Sequence, residues 1–414
     1  MASDNAPQLR RALGLLDAVG IGFGAIVGAG IFVVTGVAAG AAGPALIVAL
    51  GIAGAAATAN ALSSAQLAAV YPYAGGSYEY GYRLLGGWAG YIAGWMFLAS
   101  KTAAAGTVAI GLGGYLGALV PDLPPRAAGV AAIVLFTVLN LFGVKRTSAA
   151  NLAIVAASVG ALLVFVLFAA NDATGASFEP FAPTGIGGIM RAAALLFFAY
   201  TGYARIATLG EEVHHPERTI PRAVMITIVG AILLYAAVAA VAIGTAGAPA
   251  LARTAAPLYV AASSTSHAWL PALVAVGGLA AMLGVVLSQI LGLSRMGFAM
   301  ARRDDLPAML SRVDERGVPR TAVIVVGTVA AIVAATGALD AVAAAASFTI
   351  LVYYGITNAA AIRLRNPERW LPAWVPVFGV LACATLALSL DLRTIIVGLV
   401  VLAAGVVVRV VQRR

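Results

Sequence analysis

Long apolar runs, repeated from one end of the chain to the other and separated by short charged breaks, constrain this sequence more than any other feature. They fall at 15–41, 43–70, 86–119, 126–142, 147–170, 186–211, 220–245, 267–300, 320–336, 339–362, 373–389 and 391–411. Twelve spans of about 20 residues need about 240 positions, and the chain has 414. Only 10% of residues are charged and 62% are apolar, where an ordinary globular chain is roughly a quarter charged. The expectation is an all-α integral membrane protein of twelve spans with no folded soluble domain. Residues 247–265, with Pro249 and Pro257, are expected to lie outside the bilayer as a surface helix or loop. Residues 1–14 are short and polar-basic without a cleavage site, so they read as a retained N-terminal segment rather than a signal peptide.

Basic residues set the orientation, because cytoplasmic loops retain Lys and Arg. With a cytoplasmic N-terminus, 20 of the 25 basic residues fall on the cytoplasmic side, and only Arg126, Arg191, Arg253 and Arg393 fall outside. Lys101 lies within the third run. The even number of spans places both termini in the cytoplasm, in a multi-pass protein of the cytoplasmic membrane.

Two runs carry signs of interruption. The first reads Gly20-Ile-Gly-Phe-Gly24-Ala-Ile-Val-Gly28-Ala-Gly30-Ile-Phe32, five glycines in eleven residues. Each weakens a regular helix by ~1 kcal/mol against alanine. Gly20, Gly24 and Gly28 can form a small-residue packing face. Alternatively, the helix breaks near Val27–Gly30 and turns unpaired N–H and C=O groups toward a ligand; unwound backbone at this depth must be buried in protein or line a cavity. The sixth run, Leu196-Phe-Phe-Ala-Tyr200-Thr-Gly-Tyr-Ala-Arg205, favours the break. A straight helix would carry Arg205 into lipid at ~2.5 kcal/mol or more, whereas a break at Ala199–Gly202 lets it face water. Interrupted segments in matching positions point to a transporter site at the interface of two repeats. Here they open two five-span halves, 15–170 and 186–362, the second inverted relative to the first, with two accessory spans in 373–411.

Single residues add candidates. Lys101 is a charge deep in a span, with no Asp or Glu at similar depth, and an intramembrane ionisable group is a functional candidate by default. It can carry a proton, since burial disfavours the charged ammonium, pair with a substrate carboxylate, or simply snorkel. Glu79, Arg83, Glu211, Glu212, Arg218 and Arg222 form either a cytoplasmic gate or a set of solvated loop charges. The Ser288 hydroxyl is a weak sodium-site candidate.

Other chemistries find little support. One cysteine, Cys383, and three histidines without metal-ligand spacing provide no metal site, and no cofactor is expected. Basic residues scattered among apolar runs do not make a nucleic-acid surface. No Gly-x-Ser-x-Gly and no mid-span acid or histidine supports an enzyme, and no phosphate loop supports a nucleotide-driven pump. A channel would need a repeated pore motif or a ring of charges.

Three segments resemble the amino acid–polyamine–organocation (APC) family of permeases: Gly24-Ala-Ile-Val-Gly-Ala-Gly-Ile-Phe32, Tyr71-Pro-Tyr-Ala-Gly-Gly-Ser-Tyr-Glu-Tyr80, and Phe197-Phe-Ala-Tyr-Thr-Gly-Tyr203 continued by Gly210-Glu-Glu-Val-His-His-Pro-Glu-Arg-Thr-Ile-Pro-Arg222. The resemblance implies a leucine-transporter-type inverted repeat and secondary active transport of an amino acid or related amine. Proton-coupled symport is the expected mode, with exchange or sodium coupling as alternatives. It places a carboxylate-binding turn on Gly28, Ala29, Gly30 and Ile31, and amine-binding carbonyls near Ile26, Phe198, Ala199 and Thr201. Tyr200 or Tyr203 would cover the substrate, although both also suit ordinary aromatic packing. Some proton-coupled members carry a lysine in the fifth span. Residues 147–170 hold no charge, so that coupling does not transfer to this chain.

Overall fold

The computed structural model describes residues 13–71, 75–142, 148–203, 206, 213–315, 317–365 and 369–413. Among these the regular structure is helical, and the only strand-like pairing is an isolated bridge between Leu13 and Val213. Among the described residues, eight stretches are long and apolar enough to cross a membrane: Leu15–Val70, Gly87–Leu119, Leu152–Asp172, Gly185–Tyr203, Arg218–Ala246, Leu270–Ala301, Leu339–Ile362 and Leu392–Gln412. Three shorter apolar helices are Pro125–Leu141, Arg320–Thr336 and Trp374–Leu388.

The first stretch is not one helix. It comprises α1 (Leu15–Ile26), a π-helical turn (Gly30–Val34), α2 (Thr35–Ala42) and α3 (Leu46–Val70). Gly43, at φ +61, turns the chain between α2 and α3, a conformation glycine adopts at little cost, and Pro44 follows it. Then come α4 (Ser77–Leu84), α5 (Gly87–Leu119), α6 (Pro125–Leu141), α7 (Ser148–Ala169) and α8 (Gly185–Tyr200). The second part holds α9 (Pro216–Ala246), α10 (Ala248–Ala252), α11 (Pro257–Ser263), α12 (Leu270–Ala301), α13 (Arg320–Thr336), α14 (Leu339–Ile362), α15 (Trp374–Leu388) and α16 (Leu392–Gln412). The stretch 247–265 thus forms the two short helices α10 and α11. Helix α4 has no counterpart among the apolar runs, being too short and too polar.

Two packing groups position the site. Helix α1 lies on α9, and α3 is held between α8 and α9; α5 packs against α12 and α14. Alanine and glycine dominate these contacts and let backbones approach closely, the usual solution where helices gain little hydrophobic drive from association. Large apolar side chains instead point outward, among them Leu135, Leu167, Leu233, Ile332, Leu381 and Val400. That distribution suits a hydrocarbon solvent.

Candidate functional site

Helix α1 ends at Ile26, and Val27 is extended (φ −73, ψ 109). The following residues do not resume the α1 helix but enter the π-helical turn at Gly30. Helix α8 ends at Tyr200 and passes into a 3-10 turn, Thr201–Tyr203. The carbonyls released at both breaks find hydroxyl donors. Tyr235 donates to the Ile26 carbonyl at 2.9 Å and approaches that of Ala199 at 3.4 Å. Tyr354 donates to the Thr201 carbonyl at 3.3 Å, Tyr115 to that of Phe32 at 2.7 Å, and the Thr201 hydroxyl to that of Phe198 at 3.0 Å. Unwinding at this depth is tolerable because these bonds replace the missing helical ones.

The breaks lie against each other. A Cβ on Gly30 would sit 2.4 Å from Ala199 Cα, and one on Gly202 would sit 2.2 Å from the Ala25 carbonyl. The glycine pattern therefore serves contact between the breaks rather than a regular packing face: Gly20 has nothing within 4 Å of such a Cβ.

Beside this contact is a cavity of about 260 Å³. Gly24 and Ala25 from α1, Ser64 from α3, Gly75–Ser77, Tyr80, Phe97 and Lys101 from α5, Thr201 and Gly202, Val285, Ser288 and Gln289 from α12, and Tyr353 and Tyr354 from α14 line it. The Lys101 Nζ lies 5.8 Å from the centre of the Phe97 ring. The Ser288 hydroxyl donates within its own helix to Val285 at 3.0 Å.

Among the backbone positions assigned to a substrate, only Thr201 lines this cavity. Gly28, Ala29, Gly30 and Ile31 are buried, with Gly28 against Val285 and Gly30 against Ala199. Ile26, Phe198 and Ala199 are buried too. Tyr200 is fully enclosed and donates to the Leu50 carbonyl at 3.3 Å, and Tyr203 packs on Tyr354 with ring centres 5.2 Å apart. Tyr353 and Tyr354, which sequence reasoning missed, are the aromatics that face the cavity from α14.

The proposed gate divides. Buried Glu79 bridges Arg83 and Arg303, each at 2.5 Å. Arg303 was not anticipated as a partner. Arg218 and Arg222 are exposed and make no ion pair with a described residue. Arg205, Glu211 and Glu212 lie outside the described residues. Next to Glu79 is a second missed cluster. Asp305 is fully buried and accepts hydrogen bonds from the Tyr78 hydroxyl (2.8 Å) and from Tyr82. The guanidinium of Arg409, also buried, is 3.7 Å from Asp305 and lies over the rings of Tyr91 (4.6 Å) and Trp88 (4.7 Å). The signal for it was present, because Arg409 interrupts the last apolar run. Another buried polar contact, Asn358 to Asn60 at 2.5 Å with Cys383 beside them, joins α14, α3 and α15. Among the described residues no group of three or more His, Cys, Asp or Glu is placed to hold a metal ion.

Comparison with known proteins decides the family: the model for amino acid permeases matches residues 17–411. The chain belongs to the amino acid permease family. It is 42% identical to an uncharacterized transporter of Mycobacterium tuberculosis, over 99% of this chain and 94% of that protein. A branched-chain amino acid permease of Bacillus subtilis is 30% identical over 98% of this chain and 94% of its own length. A vacuolar cationic amino acid transporter of Arabidopsis thaliana is 29% identical over 80% of this chain and 59% of its own. The permease is accordingly an amino acid transporter and a multi-pass membrane protein, from a family of transporters rather than enzymes.

Proposed function

We propose that this permease moves an amino acid across the cytoplasmic membrane by alternating access, in symport with protons. The observation that carries the reading is the direct contact of two broken helices beside a cavity containing a lysine. Opposed half-helix ends meet both charges of a zwitterion without a charged side chain. In the loaded state the N–H groups of Gly28–Ile31 hold the carboxylate and the carbonyls near Ile26 and 198–201 hold the amine. Tyr200 and Tyr203 close over the substrate.

Separating Leu15–Val70 at Gly43 into two spans, together with the three shorter apolar helices, brings the eight stretches to twelve. They form the 5+5 inverted repeat, 15–170 and 186–362, with α15 and α16 accessory and both termini cytoplasmic. In that frame the cavity, bounded by the first half of the broken helix, 75–77 and Tyr80, opens toward the cytoplasm. The Gly30–Ala199 contact then belongs to the outward-closed state, and opening it exposes the carboxylate turn. Lys101 is the coupling group, gaining a proton with the substrate and losing it on release. The Glu79–Arg83–Arg303 bridge is part of the cytoplasmic gate.

The test is uptake by vesicles containing the purified permease, with a panel of labelled amino acids and with or without an imposed pH gradient. Accumulation of at least one amino acid that requires the gradient is expected. Uptake indifferent to pH but driven by sodium, or by an amino acid on the opposite side, would replace proton symport with those modes.

A further inference from the structure

A groove of about 550 Å³ runs among α5, α12, α13, α14 and α16. It shares the α5, α12 and α14 walls with the cavity beside the breaks, but on another side of each helix. On α5, Leu98 and Ala99 line the groove, whereas Phe97 and Lys101 line the cavity; on α12, Gly297 lines the groove and Met296 the cavity. From α14, Ala345 and Thr349 line the groove, while Tyr353 and Tyr354 line the cavity.

The groove exists because its walls are small: Ala99, Ala103, Gly297, Ala322, Ala341 and Ala345 leave a space that larger side chains would close. Its chemistry selects the contents. A buried water needs two to four polar partners, and the polar groups here are turned to their own or neighbouring backbone. The Thr349 hydroxyl donates to the Ala345 carbonyl at 2.7 Å, and the Trp95 indole N–H to the Val401 carbonyl at 2.7 Å. Among the described lining residues, Thr102 is the one other polar side chain. Hydrocarbon meets no such requirement and gains dispersion contacts with every wall.

The dimensions narrow the occupant further. On α13 the lining runs from Ala322 to Val333, a length of ~16 Å at the helical rise. One leaflet of the hydrocarbon core is ~15 Å deep. Spread over that length, the volume corresponds to a channel roughly 6–7 Å across, narrower than the ~10 Å of a helix with its side chains. One side is open: Val325, Val329 and Val397 line the groove and are 42–45% exposed. They belong to the outward-facing apolar surface, so the groove is continuous with the bilayer.

We propose that the groove binds one acyl chain of a bilayer phospholipid. The headgroup lies at the end marked by Leu306 and Leu310, past the end of α12, and the chain follows α13 toward Val333. There it packs on the back of the α5–α12–α14 wall and braces the helices that line the cavity. The assignment does not depend on which solute the permease carries.

The experiment uses Trp95, which lines the groove, as a contact reporter. Replacing Trp88, Trp269, Trp370 and Trp374 by Phe leaves it the sole tryptophan of the full chain. The protein is reconstituted in phosphatidylcholine vesicles whose acyl chains do or do not carry bromine, a quencher that acts at contact range. Trp95 emission should be at least twofold lower in the brominated vesicles. Ala345→Phe, which places a ring in the groove, should restore at least half of the lost emission. Val326→Phe fills the same groove from α13 and should do the same, so the assignment stays testable if one variant fails to fold. Emission equal in the two lipids would overturn the assignment. Quenching undiminished in both filled variants would also overturn it, by placing the contact with bulk lipid outside the groove. Quenching that disappears as the permease-to-lipid ratio rises would give the groove to a second copy of the chain instead.

Discussion

Gly30 rests on Ala199 so closely that a Cβ at residue 30 would lie 2.4 Å from the Ala199 α-carbon. The partner contact, Gly202 on the Ala25–Ile26 peptide, is equally tight. Gly30 and Gly202, 172 positions apart in sequence, thus bring two interrupted helices together. Gly30→Ala and Gly202→Ala should each displace backbone, at a cost of about 1–3 kcal/mol, and reduce uptake strongly per inserted molecule. Gly20→Ala, which meets nothing within 4 Å, should leave uptake intact and stabilise α1 by up to ~1 kcal/mol. Uptake and thermal midpoints of the three purified variants check the contrast. Equal tolerance of all three would separate the glycines from the site.

The breaks were legible because glycine density in the first run and an arginine shortly after Gly202 both disfavour a continuous helix. Lys101 was legible as a charge within an apolar run. The partners were not. The bond from Tyr235 to the Ile26 carbonyl crosses 209 residues, and no local pattern marks a tyrosine as the group that satisfies a distant break. Helix α4 escaped because one polar, eight-residue helix has no span-length signature. Nor could the sequence tell that Gly28–Ile31 would be covered while α14 supplied the cavity aromatics, since this depends on how the two broken helices pack.

Arg409 joins the last helix to the Asp305 cluster. Its removal leaves buried Asp305 with the exposed Arg413 guanidinium, 3.8 Å away, as its remaining ion-pair partner among the described residues, so Arg409→Met should destabilise by at most about 3–5 kcal/mol. Combining it with Asp305→Asn should recover part of that loss, because neither charge then remains. A double-mutant cycle on thermal or denaturant stability measures the coupling; strictly additive losses would mean the two residues do not act as a pair.

Asp391 caps α16 from outside the helix, accepting from the Thr394 N–H and hydroxyl at 3.0 Å each, with Arg191 at 3.2 Å. Burial pushes its carboxyl upward, but the Thr394 bonds and Arg191 outweigh it and hold the carboxyl below its ordinary range. A depressed carboxyl stabilises the fold above its unfolded pKa, near ~3.9, and that contribution fades as pH falls through the lower folded value. Asp391→Ala should therefore cost about 0.5–2 kcal/mol near neutral pH. The gap from wild type should narrow in acid below pH ~4, a trend that thermal midpoints across pH would reveal.

Orientation is testable with single cysteines at Asp4, Asp172 and Gln412 in a Cys383→Ser background. Cys383 is buried 3.4 Å from the Asn60 amide, and serine preserves a polar partner there. A membrane-impermeant maleimide should label residue 172 on intact cells, and residues 4 and 412 only after permeabilisation. Labelling of residue 4 or 412 from outside would invert the layout.

The most direct test is accumulation of labelled substrate in vesicles under an imposed pH gradient, compared among wild type, Lys101→Ala and Lys101→Arg. Wild type should concentrate substrate as long as the gradient lasts. Lys101→Ala should exchange substrate without concentrating it, and Lys101→Arg should also fail to concentrate it, because arginine effectively never gives up its proton. Gradient-driven accumulation that persists in Lys101→Ala would contradict the coupling role of Lys101.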